Sequence, residues 1–170
     1  MSLPSELSGV HMTAFVAAIM RARHLVVDGH PKIMEDHVAQ QLVGMSADEL
    51  VSDTNRYGVD PREPSSIWIL RSRFAEDRLA AARLRNVWQY VILGAGLDSY
   101  GLRHAASLDN LIVYEVDDPP LQHWKRQRLQ ALHIAPSDNV RYVACDFEII
   151  SLSEALRAST FDEDAPAEVS

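Results

Sequence analysis

Apolar positions recur along this chain in two rhythms, and the change between them falls near residue 87. To about Arg85 the spacing is helical. Phe15, Ile19, Ala22 and Val26 lie three or four apart and predict an amphipathic helix over 11–27, which Gly29-His30-Pro31 ends. A short helix is expected over 36–42, and Ser46-Ala-Asp-Glu49 has the form of a capping box opening another. Gly58, Pro61 and Pro64 mark 55–64 as a loop. A longer helix is predicted over 65–86, with Ile67, Leu70, Phe74, Ala81 and Leu84 on one face.

After residue 87 the pattern shortens to strands. Gln89-Tyr-Val-Ile-Leu93, Leu111-Ile-Val-Tyr-Glu-Val116 and Val140-Arg-Tyr-Val-Ala-Cys145 are three buried strands in prospect. Between them fall a short helix near 99–106 and a longer one near 120–134. In the longer one Leu121, Trp124 and Leu132 share a face and Leu129 lies at its edge. Pro119 and Pro120 sit where prolines open a helix. Ser151-Leu-Ser-Glu154 caps a further helix to about 158. Strand alternating with helix predicts an α/β fold with a parallel sheet and right-handed crossovers, half of a doubly wound nucleotide-binding domain. The division expected is a helical region over 1–87 and an incomplete sheet domain over 88–170.

Composition narrows the function classes. The 170 residues, 47% apolar and 24% charged, suit one soluble globular domain. Sixteen basic against twenty-four acidic residues give a net charge of −8, which argues against nucleic acid or an anionic membrane as principal partner. No apolar run approaches the ~20 residues of a membrane span and no signal-peptide core opens the chain, so the expected location is cytoplasmic. The single cysteine, Cys145, excludes a disulfide framework and a multi-cysteine zinc site. His30 and His37 with Asp36 lack the spacing of ligands on one helical face, so no metal is expected.

Chemistry concentrates at the predicted carboxyl ends of the strands, where such folds bind ligands. Leu93-Gly94-Ala95-Gly96-Leu97-Asp98 leaves the first strand, and its glycines allow a sharp turn and close backbone approach. A nicotinamide fingerprint would place a third glycine where Ser99 stands. A tight strand-to-helix turn with no ligand is the plain alternative. Tyr114-Glu115-Val116-Asp117-Asp118 closes the second strand, placing acids ~20 residues after the glycines to accept from ribose hydroxyls. Alternation puts Glu115 and Asp117 on one side, and Asp118 reads as a helix cap. Cys145-Asp146-Phe147 ends the third strand, a carboxylate and ring suited to adenine. No basic residue follows the glycines to meet a pyrophosphate, and no phosphate-loop lysine is present, which points to S-adenosyl-L-methionine rather than NAD or ATP.

These segments, with Thr13-Ala-Phe-Val-Ala-Ala-Ile-Met-Arg-Ala-Arg-His24, Arg71-Ser-Arg73-Phe-Ala-Glu-Asp-Arg-Leu79 and Arg103, occur in an order that resembles the leucine carboxyl methyltransferase family. The resemblance is to its bacterial branch of S-adenosyl-L-methionine-dependent O-methyltransferases, found in actinobacteria and near polyketide pathways. It covers nearly the whole chain and implies a Rossmann-like methyltransferase, with the early helix a lid whose inner side would carry Thr13 and Arg21. By position, Gly94, Ala95 and Gly96 would line the cofactor's methionine and ribose. Asp117 would bind ribose with Glu115 beside it, and Asp146 and Phe147 would hold adenine. An arginine of the pair Arg71 and Arg73 would meet the cofactor carboxylate, while Asp98 and Arg103 would pin the glycine loop. The family continues beyond this length, with a fourth strand beside the first and a substrate-binding portion. A chain ending at Ser170 is therefore expected to be partial, with an open first-strand edge inviting self-association.

Methyl transfer from a sulfonium needs an aligned acceptor, and a carboxylate acceptor needs no general base whereas a hydroxyl does. His11, His24, His30 and His104 are the candidates for such a base, with no catalytic residue singled out. The expected activity is O-methyl transfer to a small-molecule hydroxyl or carboxylate. The alternatives are a non-catalytic cofactor-binding piece and, more remotely, a nicotinamide-dependent reductase.

Overall fold

The computed structural model of the chain describes residues 9–52, 54–60 and 64–170. Two compact units divide it, Met1–Phe74 with Leu97–Ser99 and Ala75–Gly96 with Tyr100–Ser170.

The helical unit holds α1 (Gly9–Val27), α2 (His37–Val43), α3 (Ala47–Ser52), a 3-10 turn over Thr54–Tyr57 and the start of α4 (Ser66–Arg83). Helix α1 buries Phe15, Ile19 and Ala22 as the spacing predicts, and Arg21 and His24 besides, while Val26 of the predicted face is exposed. Asp36 caps α2, its carboxylate accepting from the Ala39 amide at 2.9 Å, and Gly44 at φ +65° closes it. The Ser46–Glu49 box forms, with the Ser46 amide donating to Glu49 at 2.8 Å and the Glu49 amide to the Ser46 hydroxyl at 3.3 Å.

The sheet unit runs β1 (Gln89–Leu93), α5 (Tyr100–Arg103), a 3-10 turn over Ala105–Ser107, β2 (Ile112–Asp117), α6 (Pro119–Ala131), β3 (Val140–Ala144), α7 (Leu152–Arg157) and β4 (Ala167–Val169). The strands lie in the order β3-β2-β1-β4, all parallel. Alternation sends Tyr90, Ile92, Val113 and Val140 into a core with Leu79, Tyr100 and Leu108. Val91, Tyr114, Val116 and Val143 enter a second core with Ala155, Leu156 and Phe161. The α/β class and parallel topology are as the sequence predicts.

Three expectations are corrected. Instead of an open edge, β1 has β4 as neighbour, with Gln89 opposite Ala167 and Val91 opposite Val169. The ladder extends to the last residue, since the Leu93 amide donates to the Ser170 carbonyl at 2.9 Å and Ser170 N to the Val91 carbonyl at 3.0 Å. The edge of the described sheet passes from β1 to β4.

The apolar face read along α4 is turned outward. Ile67, Leu70, Phe74 and Leu84 are 63%, 53%, 68% and 88% exposed, while Ile69, Leu79 and Ala82 are buried. The inward stripe carries polar residues that ion pairs and hydrogen bonds satisfy, so its apolar periodicity is broken. Glu76 pairs with Arg103, and Arg83 donates to the carbonyls of Ser107 and Leu108, each at 3.4 Å.

In α6 the buried residues are Leu121, Lys125 and Leu129, a row four apart, with Gln122 beside it. Trp124 and Leu132 are only half-buried. A lysine at the centre of that row hides it from a hydrophobic reading.

Candidate functional site

In the sheet unit, β1 ends in a turn that only unusual backbone angles can make. Gly94 has φ +60° and Gly96 φ +51°, both in the left-handed region that side chains disfavour. A Cβ at Gly94 would meet nothing within 4 Å, so conformation rather than crowding requires glycine there. Ala95, buried between them, donates its amide to the Val116 carbonyl at 3.1 Å and ties the turn to β2.

Asp117 closes the arrangement. Its Oδ2 accepts from the Gly96 amide and its Oδ1 from the Asp118 amide at 2.6 Å. Its own carbonyl accepts from the Cys145 amide at 2.9 Å, which brings in the end of β3. One residue thus joins the carboxyl ends of three parallel strands. Asp118 stands at the N-cap position of α6, with no capping hydrogen bond from its side chain.

Beyond β3, the Asp146 carboxylate accepts from the Glu148 amide at 2.9 Å, and its carbonyl accepts from the amides of Ile149 and Ile150, each at 2.9 Å. The tight turn leaves the Phe147 ring 54% exposed. Cys145 is fully buried, and burial together with the neighbouring Asp146 carboxylate pushes its thiol up.

Glu115 is held in a buried ion pair under α6. It and Lys125 are each 1% exposed at the side chain, with Lys125 Nζ 2.5 Å from Glu115 Oε2. The shared face with Asp117 holds, but two residues further back along the strand the side chain lies under α6. Arg103, expected to pin the glycine loop, pairs with Glu76 of α4. Burial raises the Glu76 carboxyl, but His104 and Arg103 outweigh it and hold the group below the usual range.

The helical unit holds the other singled-out residues. Arg71 and Arg73 both lie exposed on the continuous α4. Thr13 is exposed on α1. Arg21 is buried, its Nε 2.8 Å from Asp36 Oδ2 and its Nη2 donating to the Leu97 carbonyl at 2.7 Å. Ser99, in place of a third glycine, donates to the same Asp36 oxygen at 2.6 Å. Asp98 lies in this segment, Leu97–Ser99, which belongs with the helical unit. The sequence reading missed this network because arginine and aspartate usually face water; Arg21, between Ile19 and Ala22 in an apolar run, was its one signal.

Two of the four candidate histidines are engaged by neighbours. His24 has both ring nitrogens engaged, Nδ1 with Asp28 at 2.6 Å and Nε2 with the Ile33 amide at 3.2 Å. His104 Nε2 lies 3.3 Å from Arg103 Nη1 and 3.8 Å from Glu76. His30 is exposed and His11 buried. Among the described residues, no group of three or more His, Cys, Asp or Glu side chains is placed to hold a metal ion. No helix among them is long and apolar enough to cross a membrane.

A parallel sheet in the order 3-2-1-4, with a glycine turn after the first strand held by an acid ending the second, defines a Rossmann-like α/β protein of the doubly wound kind. Comparison with known proteins is more specific, because residues 14–170 match the family described as leucine carboxyl methyltransferase. The chain belongs to that family. Two similar proteins are from Mycolicibacterium paratuberculosis, 34% identical over 173 residues, and Mycolicibacterium vanbaalenii, 33% identical over 168. A third, from Bacillus subtilis, is 27% identical over 158 residues. The alignments cover 94%, 94% and 80% of this chain and 54%, 55% and 52% of those proteins respectively. All three carry the name "Putative S-adenosyl-L-methionine-dependent methyltransferase". The chain spans about half the length of these curated relatives.

Proposed function

We propose that this chain binds S-adenosyl-L-methionine and forms the cofactor half of an O-methyltransferase acting on a small-molecule hydroxyl or carboxylate. The observation that carries this reading is the Asp117 carboxylate beside the glycine turn, oriented by the amides of Gly96 and Asp118. A carboxylate offers about four acceptor positions, so two amides leave capacity for the two hydroxyls of a ribose. The residues fit the cofactor in other respects. Gly94 leaves open space where a side chain would stand, Asp146 offers acceptor oxygens for an exocyclic amine, and the exposed Phe147 ring offers an apolar face to a base.

Within this proposal Gly94, Ala95, Gly96 and Asp117 hold the ribose and methionine side, and Asp146 and Phe147 the adenine. Glu115 is assigned to supporting the strand instead of touching ribose. Bound S-adenosyl-L-methionine supplies a methyl group activated by its sulfonium; the chain's own part is to hold and orient it.

Calorimetric titration tests the reading. S-adenosyl-L-methionine should bind and NAD should not, and Asp117→Ala should weaken binding by ~1–3 kcal/mol through loss of the ribose hydrogen bonds. No binding at millimolar cofactor would overturn the proposal, and unchanged affinity in Asp117→Ala would remove Asp117 from it. A labelled-methyl assay then separates methyl transfer from binding without turnover.

A further inference from the structure

The least expected group in the sheet unit is an ion pair beneath the sheet. Lys125 of α6 and Glu115 of β2 meet at 2.5 Å, each closed off from water. Charges there cost desolvation that apolar side chains of similar volume would avoid. The neighbours on that face, Ile92, Val113 and Val140, are apolar. The pair is thus a poor device for stability and a good one for fixing a position.

What it fixes is the end of β2. Gln122, one turn before Lys125 in α6, donates its Nε2 to the Glu115 carbonyl at 2.8 Å and to the Val143 carbonyl at 3.0 Å. Lys125 grips the Glu115 side chain and Gln122 its backbone, so α6 holds this residue at two points. The ring of Tyr142, opposite Glu115 in the register, lies 5.9 Å from the Lys125 ammonium. Asp117 follows two residues later on the same face of the strand. Its carboxylate must meet the Gly96 and Asp118 amides together, so a small slip of β2 would misplace it.

We propose that Lys125 and Gln122 are positioning residues for cofactor binding, setting the Asp117 carboxylate for the ribose through Glu115. The inference rests on the cofactor reading above and extends it to residues that touch no ligand. Its signature is selectivity for the ribose hydroxyls. A merely structural role would weaken every ligand equally.

The test uses the full chain and the paired variant Lys125→Met with Glu115→Gln, which removes both charges. Calorimetry measures S-adenosylhomocysteine and its analogue lacking the 2′ and 3′ hydroxyls, and thermal melting monitors the fold. The expected result is a roughly tenfold loss for S-adenosylhomocysteine, equivalent to ~1.4 kcal/mol, with the dideoxy analogue unchanged. Gln122→Met, which keeps the ion pair, is the second variant should the first not fold, and the same selective loss is expected of it. Equal losses for both ligands, or none, overturn the inference while leaving the cofactor reading intact. A wild-type chain that takes up no S-adenosylhomocysteine overturns both.

Discussion

Asp36 shows how much one buried carboxylate can organise. It caps α2 through Ala39, pairs with Arg21 and accepts from Ser99. Removing it would leave the Arg21 guanidinium, 7% exposed, without its carboxylate partner. Asp36→Ala should therefore cost ~3–5 kcal/mol of stability in denaturant unfolding, the usual penalty for breaking a buried pair from one side. A loss under ~1 kcal/mol would mean that Arg21 swings out to water. Glu76 makes a pH-dependent counterpart. Its carboxyl is held below its ordinary value in the folded chain, so its contribution is complete above the unfolded value of about 4.3. That contribution disappears as pH falls through the lower folded value. Wild type should accordingly exceed Glu76→Gln in stability at neutral pH, with the gap closing below about pH 4. A gap that stays constant to pH 3 would exclude Glu76 as the titrating group.

Among the elements, strands and caps were legible in the sequence and α4 was not. Strands β1 and β3 announce themselves because nearly every position is apolar and turns bound them. The caps of α3 and α7 are legible because Ser-x-x-Glu encodes both hydrogen bonds locally, and in α7 Ser151 and Glu154 make them. The glycine turn and Asp117 were legible for the same reason, since backbone freedom and strand alternation are local properties. Helix packing is not local. In α4 the apolar stripe Ile67–Leu70–Phe74 is exposed, while the inward stripe holds Glu76 and Arg83, whose partners lie far along the chain. Lys125 escaped the reading likewise, as did the ion pair of Arg21, because their partners Glu115 and Asp36 are identified only by the fold. Because Leu70 is exposed on α4, Leu70→Lys should change stability by no more than ~0.5 kcal/mol. A cost above ~2 kcal/mol in chemical unfolding would show Leu70 to be packed after all.

At the scale of the sheet, the decisive feature is β4 beside β1. The acidic segment before β4 is held from inside the sheet. Gln89, fully buried, donates to the Asp162 carbonyl at 2.9 Å and accepts from the Asp162 amide at 2.8 Å. Arg78 reaches Glu168 at 3.3 Å, and the Tyr90 hydroxyl lies 2.9 Å from Ser170 Oγ. β4 itself covers the backbone groups that β1 would otherwise present at an edge. Deleting residues 162–170 would leave Gln89 buried without those partners and would open the β1 ladder along Gln89–Leu93. Such an edge, flanked by Val91 and Ile92, is a template for pairing with another chain. The shortened protein should self-associate in sedimentation velocity as concentration rises, while the 170-residue chain shows less association at equal concentration. Equal behaviour of the two would mean that β4 does not protect β1 in solution. The comparison also bears on cofactor binding, because β1 carries the glycine turn directly after Leu93. A β1 repaired by another chain could keep that turn in place, so the deleted form should retain part of its S-adenosylhomocysteine affinity only at concentrations where it associates.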